Sequence, residues 1–84
     1  MRNAFQIFPN PAKDYFFIRS STPLEKEMKL TFFSNDGIPI KECEAKAEMK
    51  PNECLIDVRN LSPGFYFLMI YYGGKGFIQK LVII

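Results

Sequence analysis

Two thiols, Cys43 and Cys54, and nine carboxylates are the groups in this sequence best suited to attack, ligate or exchange protons without a helper, and no histidine stands beside them. Histidine is the usual general base and metal ligand near neutral pH. Its absence excludes Ser-His and Cys-His nucleophile pairs and every histidine-bearing zinc site within the chain. Two thiols also fall short of the four thiolates of a structural zinc centre. No cofactor, no metal and no catalytic residue is expected, and the prior leans to a module that binds or is recognised rather than an enzyme.

Charge gives a second exclusion. Eleven Lys and Arg residues against nine Asp and Glu leave a formal charge of +2. The cations are scattered from Arg2 to Lys80 with acidic neighbours, as in Glu25-Lys26-Glu27 and Lys41-Glu42. A phosphate-binding surface needs them clustered, so nucleic acid is not an expected partner. The longest apolar run, Phe65 to Tyr72, is far short of the roughly 20 residues that span a bilayer, and no integral membrane segment is expected. Arg2 and Asn3 lead straight into Phe5 and then Pro9, which leaves no room for a signal-peptide core. Residues 1–4 read as a linker remnant or an artificial start, and residues 5–84 as a single domain. With 84 residues, such a domain buries only about 60% of its unfolded surface, leaving little core from which to carve a catalytic pocket.

The elements that must position these groups are strands. Nine Phe, four Tyr and frequent Ile fall in short runs broken by Pro, Gly, Asn and Asp, the punctuation of an all-β chain. Seven runs are expected: Phe5 to Phe8, Asp14 to Ser20, Met28 to Phe32, Ile38 to Ala45, Cys54 to Val58, Gly64 to Tyr72 and Gly76 to Ile84. Phe16 and Ile18 share one face, and Met28, Leu30 and Phe32 share another that should meet the core. Lys41 to Lys50 has helical propensity, yet Cys43, Ala45, Ala47 and Met49 recur at every second residue, so a strand is expected there. Asn35-Asp36-Gly37 and Gly73-Gly74 supply hairpin turns, and Pro63-Gly64 fits the centre of a type II turn. Gly64 to Tyr72, apolar on both faces, should be a central strand. Seven short strands with regular turns read as an antiparallel immunoglobulin-like β-sandwich. In such folds a tyrosine just past the turn returns its hydroxyl to upstream backbone, and Tyr66 is the candidate. The alternative is that Tyr66 is one more strand aromatic.

Phe5-Gln6-Ile7-Phe8-Pro9-Asn10-Pro11-Ala12-Lys13-Asp14 resembles the opening of the C-terminal sorting domains of the type IX secretion system. Asp36-Gly37, Leu61-Ser62-Pro63-Gly64-Phe65-Tyr66 and Lys80-Leu81-Val82-Ile83 follow in that family's order. The resemblance runs from Phe5 to Ile84. It implies an export label without catalysis, joined to an N-terminal cargo, carried through the periplasm and across the outer membrane by a translocon to the cell surface or beyond. There a sortase removes the label or anchors the cargo. On this reading Pro9, Asn10, Pro11 and Lys80, Leu81, Val82, Ile83 and Ile84 are the recognised residues. Asp36, Gly37, Leu61, Gly64 and Tyr66 are the structural ones.

The terminal strand is expected on a free sheet edge, open to strand addition by a receptor. Ile38-Pro39 departs from the family pattern and suggests that the fourth strand begins late or lies at an edge. A turn near Glu48-Met49 would set Cys43 across from Cys54. A bridge there is permitted in an oxidising compartment, although cross-strand geometry favours free thiols. The competing reading is an immunoglobulin-like adhesion or carbohydrate-binding module, with Tyr71, Tyr72 and Phe77 stacking on a sugar ring.

Overall fold

The computed structural model describes residues 5–84; the expected linker at residues 1–4 lies outside the described residues. Seven strands form, β1 (Phe5–Phe8), β2 (Tyr15–Ser20), β3 (Met28–Ser34), β4 (Pro39–Ala45), β5 (Glu53–Asp57), β6 (Gly64–Tyr72) and β7 (Lys75–Ile83). They make a three-stranded sheet ordered β1-β2-β5 and a four-stranded sheet ordered β4-β3-β6-β7, antiparallel throughout. This is the immunoglobulin-like sandwich that the alternating pattern calls for. No helix among the described residues is long and apolar enough to cross a membrane.

Period-two alternation places the core between the sheets. Phe16 and Ile18 of β2, with Cys54 and Ile56 of β5, meet Leu30 and Phe32 of β3 and Leu68 and Ile70 of β6, all buried. The Phe16 and Phe32 rings meet edge to face with centroids 6.3 Å apart. At one end Phe5 sits edge-on to Phe77, at 5.1 Å, and to Tyr72, at 6.1 Å.

The turns follow their residue chemistry. Gly73 and Gly74 both have positive φ, 59° and 78°, and close a two-residue hairpin in which Tyr72 faces Lys75, as a type I′ turn requires. In the β3–β4 turn only Gly37 takes positive φ, at 83°, with its N–H donating to the Ser34 carbonyl at 2.9 Å.

Two expectations are corrected. The alternation of residues 43 to 49 outruns the strand: β4 stops at Ala45, and Met49 is 95% exposed. The segment after β4 carries the chain from one sheet to the other, so β4 and β5 are not hairpin partners. Cys43 faces Leu30 and Cys54 faces Ile18, in different sheets, and both thiols are free. Alternation reports which face a residue takes and is silent on which strand it pairs with. The second correction is at Gly64, whose φ of 154° is far from the roughly +80° of a type II turn. The chain passes from Pro63 directly into extended β6.

Candidate functional site

Pro9-Asn10-Pro11 and the tail strand, 70 residues apart in sequence, are in direct contact. The Asn10 side-chain amide donates through Nδ2 to the Lys80 carbonyl at 2.9 Å, and its Oδ1 accepts from the Val82 N–H at 2.9 Å. A carboxamide carries one donor side and one acceptor side, as a peptide group does, so Asn10 fills the place of a strand residue with its side chain. The backbone then continues the ladder. Ala12 N–H donates to the Val82 carbonyl at 2.7 Å, and Ile84 N–H donates to the Ala12 carbonyl at 2.8 Å, with Ala12 and Ile83 forming a parallel bridge. Ala12 is wholly buried; a small side chain fits the close approach to β7. The Phe8-Pro9 and Asn10-Pro11 peptides are cis. Prolines at 9 and 11 carry no N–H, so the clasp presents few donors of its own on its far side.

The expectation of a free edge along Lys80 to Ile84 is therefore corrected. β7 is an edge strand, as expected, but its outward groups at Lys80 C=O, Val82 and Ile84 N–H are taken by Asn10 and Ala12. Leu81 and Ile83 are buried core residues, Val82 is half-buried, and Lys80 and Ile84 are exposed. Sequence patterns gave no sign of this clasp, because Pro-Asn-Pro reads equally well as an isolated turn.

Three of the structural residues, Leu61, Gly64 and Tyr66, cluster around the β5–β6 crossing. Tyr66, buried beside its register partner Leu81, donates its hydroxyl proton to the Ser62 carbonyl four residues upstream. That bond pins the crossing. Leu61 packs half-buried on the core, and its N–H donates to the Val58 carbonyl at 3.0 Å. Asp36 and Gly37 lie in the exposed β3–β4 turn, which springs from Ser34, the register partner of Tyr66.

The remaining chemistry is quiet. Burial pushes the Cys54 thiol up to about 11, with Glu48 adding to the effect. Burial also raises Cys43, which Lys41 partly offsets. Both thiols are poor nucleophiles at neutral pH. Asp57 at the end of β5 is held down to about 2, chiefly by the Arg59 guanidinium hydrogen-bonded to its carboxylate. That pair is solvent-exposed. No buried side-chain N or O among the described residues lacks a partner. Of the three aromatics considered for sugar stacking, Tyr71 is exposed. Tyr72 and Phe77 turn against Phe5, and the Tyr72 hydroxyl accepts from Glu25 N–H at 2.9 Å. They do not form a shared platform.

A family model described as the secretion system C-terminal sorting domain matches residues 6–84. No curated protein matches the chain. Among solved structures, a single mutant of a thermostable endoglucanase from Alicyclobacillus acidocaldarius is similar, with a TM-score of 0.61 and 18% identity. The match covers 83% of this chain and 12% of that one, so it shows the fold alone.

Proposed function

Because the chain belongs to the secretion system C-terminal sorting domain family, a family of sorting signals for type IX secretion rather than of catalysts, we propose that the type IX translocon reads this sandwich as a folded label. The cargo precedes Phe5, passes through the periplasm and reaches the cell surface or beyond, where a sortase removes the label or anchors the cargo. Pro9-Asn10-Pro11 and Lys80 to Ile84 act as one recognised unit. The observation that supports this is the pair of Asn10 hydrogen bonds to Lys80 and Val82, which gives two separated motifs a common shape that exists only in the folded state. A label shared among cargoes must fold on its own and show a constant surface, and a clasped strand is such a surface.

The test is transplantation. A reporter carrying a signal peptide ahead of it and this domain behind it is expressed in a bacterium with the type IX machinery. Surface display is expected with the native domain, and periplasmic retention after removal of Lys80 to Ile84. Retention of the reporter carrying the native domain would contradict the proposal.

A further inference from the structure

The clasp covers only part of β7. Antiparallel strands send backbone groups alternately to one neighbour and the other. Asn10 and Ala12 engage outward groups at Lys80, Val82 and Ile84. The same alternation turns the N–H groups of Gly76, Ile78 and Lys80, and the carbonyls of Gly76 and Ile78, away from β6. None of these has a backbone or side-chain partner among the described residues. The open stretch from Lys75 to Lys80 is about 20 Å long at roughly 3.3 Å per residue. It has no proline, and its register with β6 runs without a break.

The sheet face beside this edge is apolar. Ile78 is 65% exposed and pairs with half-buried Met69; Phe67 pairs with Lys80, and Phe65, 62% exposed, pairs with Val82. Charge narrows the occupant. Between Gly64 and Ile84 the only charged side chains are Lys75 and Lys80, and there is no acidic residue. A second copy paired antiparallel across this edge would bring four lysines together without a counter-charge, which opposes self-pairing.

We infer that the open half of β7, Lys75 to Lys80, is the acceptor site for one extended strand of a partner protein, about five or six residues long, with an apolar centre and acidic ends. The incoming backbone completes the unpaired ladder, its apolar side chains cover Ile78 and Met69, and its carboxylates meet Lys75 and Lys80. The clasp at Asn10 fixes where the added strand must stop. The inference rests on the sorting-label reading for the partner's identity, a component of the secretion apparatus, but not for the existence of the site.

The experiment uses the 84-residue chain and the peptide acetyl-Glu-Thr-Val-Thr-Val-Glu-amide, whose antiparallel register sets its first Glu beside Lys80, its first Val beside Ile78 and its last Glu beside Lys75, followed by amide hydrogen exchange in NMR. Added peptide is expected to protect the amides of Gly76, Ile78 and Lys80 while leaving Val82 and Ile84 unchanged. A peptide with lysine ends should bind at least about threefold more weakly, from the loss of two opposite-charge pairs. Ile78→Pro removes an outward N–H, at the kind of position where an edge strand tolerates proline, and should abolish the protection. The double variant Lys75→Glu, Lys80→Glu keeps the backbone intact and should reverse the preference between the peptides.

Absence of protection at these amides, equal binding of both peptides, or self-association of the chain through the same amides would each overturn the inference. Failure of the sorting-label reading shows separately, as retention of the native-domain reporter, which the peptide titration does not touch.

Discussion

β4 and β7 border the same four-stranded sheet, yet they end it differently. β4 opens at Pro39, breaks register between Phe32 and Phe33 of its partner β3, and carries Lys41, Glu42 and Glu44. These are local devices that discourage a further strand. β7 runs nine residues without a bulge, and its protection is borrowed from Asn10 and Ala12, at the other end of the chain. An edge closed by its own residues is closed in any context. An edge closed by a remote segment is closed only over that segment's length, and here the rest is left available.

The largest effect that tests this contrast is at the packed half of β7. Leu81 is wholly buried, so Leu81→Ala should cost about 2–4 kcal/mol, whereas Cys43→Ala, removing a half-buried side chain from β4, should cost under about 1 kcal/mol. Urea denaturation of both variants measures the difference, and equal costs would break the contrast. Asn10→Ala comes next. It loses two hydrogen bonds at about 0.5–1.5 kcal/mol each, with water replacing part of that at this exposed site, so a loss of about 1 kcal/mol is expected. For a domain of this size that lowers Tm by about 4–8 °C. The Val82 amide should then exchange as freely as Ile78.

The smallest effect is electrostatic and belongs to the rim near β4, where Lys41 Nζ reaches the Asp57 carbonyl at 3.4 Å. Asp57 is lowered from 3.8 to about 2 by Arg59. A folded-state pKa below the unfolded one contributes stability above the unfolded value, and that contribution is lost as pH falls through the folded value. Native protein should therefore exceed Arg59→Ala slightly in stability above pH 4, with the two converging as pH falls through about 2. The pair is solvent-exposed, so the gap is small. Acid titration followed by circular dichroism reads it, and a gap that persists at the lowest pH would show that Arg59 acts through packing instead.

Much of the sandwich was legible because its physics is local. Met28, Leu30 and Phe32 alternate with polar neighbours and do face the core. Gly73-Gly74 makes the hairpin that positive φ allows, and Tyr66 takes up its bond to Ser62. Pro39 marked an edge strand correctly, since a missing donor is harmless there. What stayed hidden depends on distant partners. Cys43 and Cys54 looked like hairpin neighbours because their spacing suits a turn, but the intervening chain changes sheets. The terminal residues looked like an open handle because nothing in Lys80-Leu81-Val82-Ile83 names Asn10 as its occupant. Apolar residues on both faces fix a strand's depth; which strand lies beside it is set by contacts distant in sequence.

The contact between Asn10 and Val82 closes a ring over nearly the whole chain, 72 residues in separation. Such a closure is entropically slow to find. During synthesis it has to wait until β7 exists. A product terminated before β7 would leave Asn10 and Ala12 with nothing to grip, so the finished clasp doubles as a certificate that translation ran through β7.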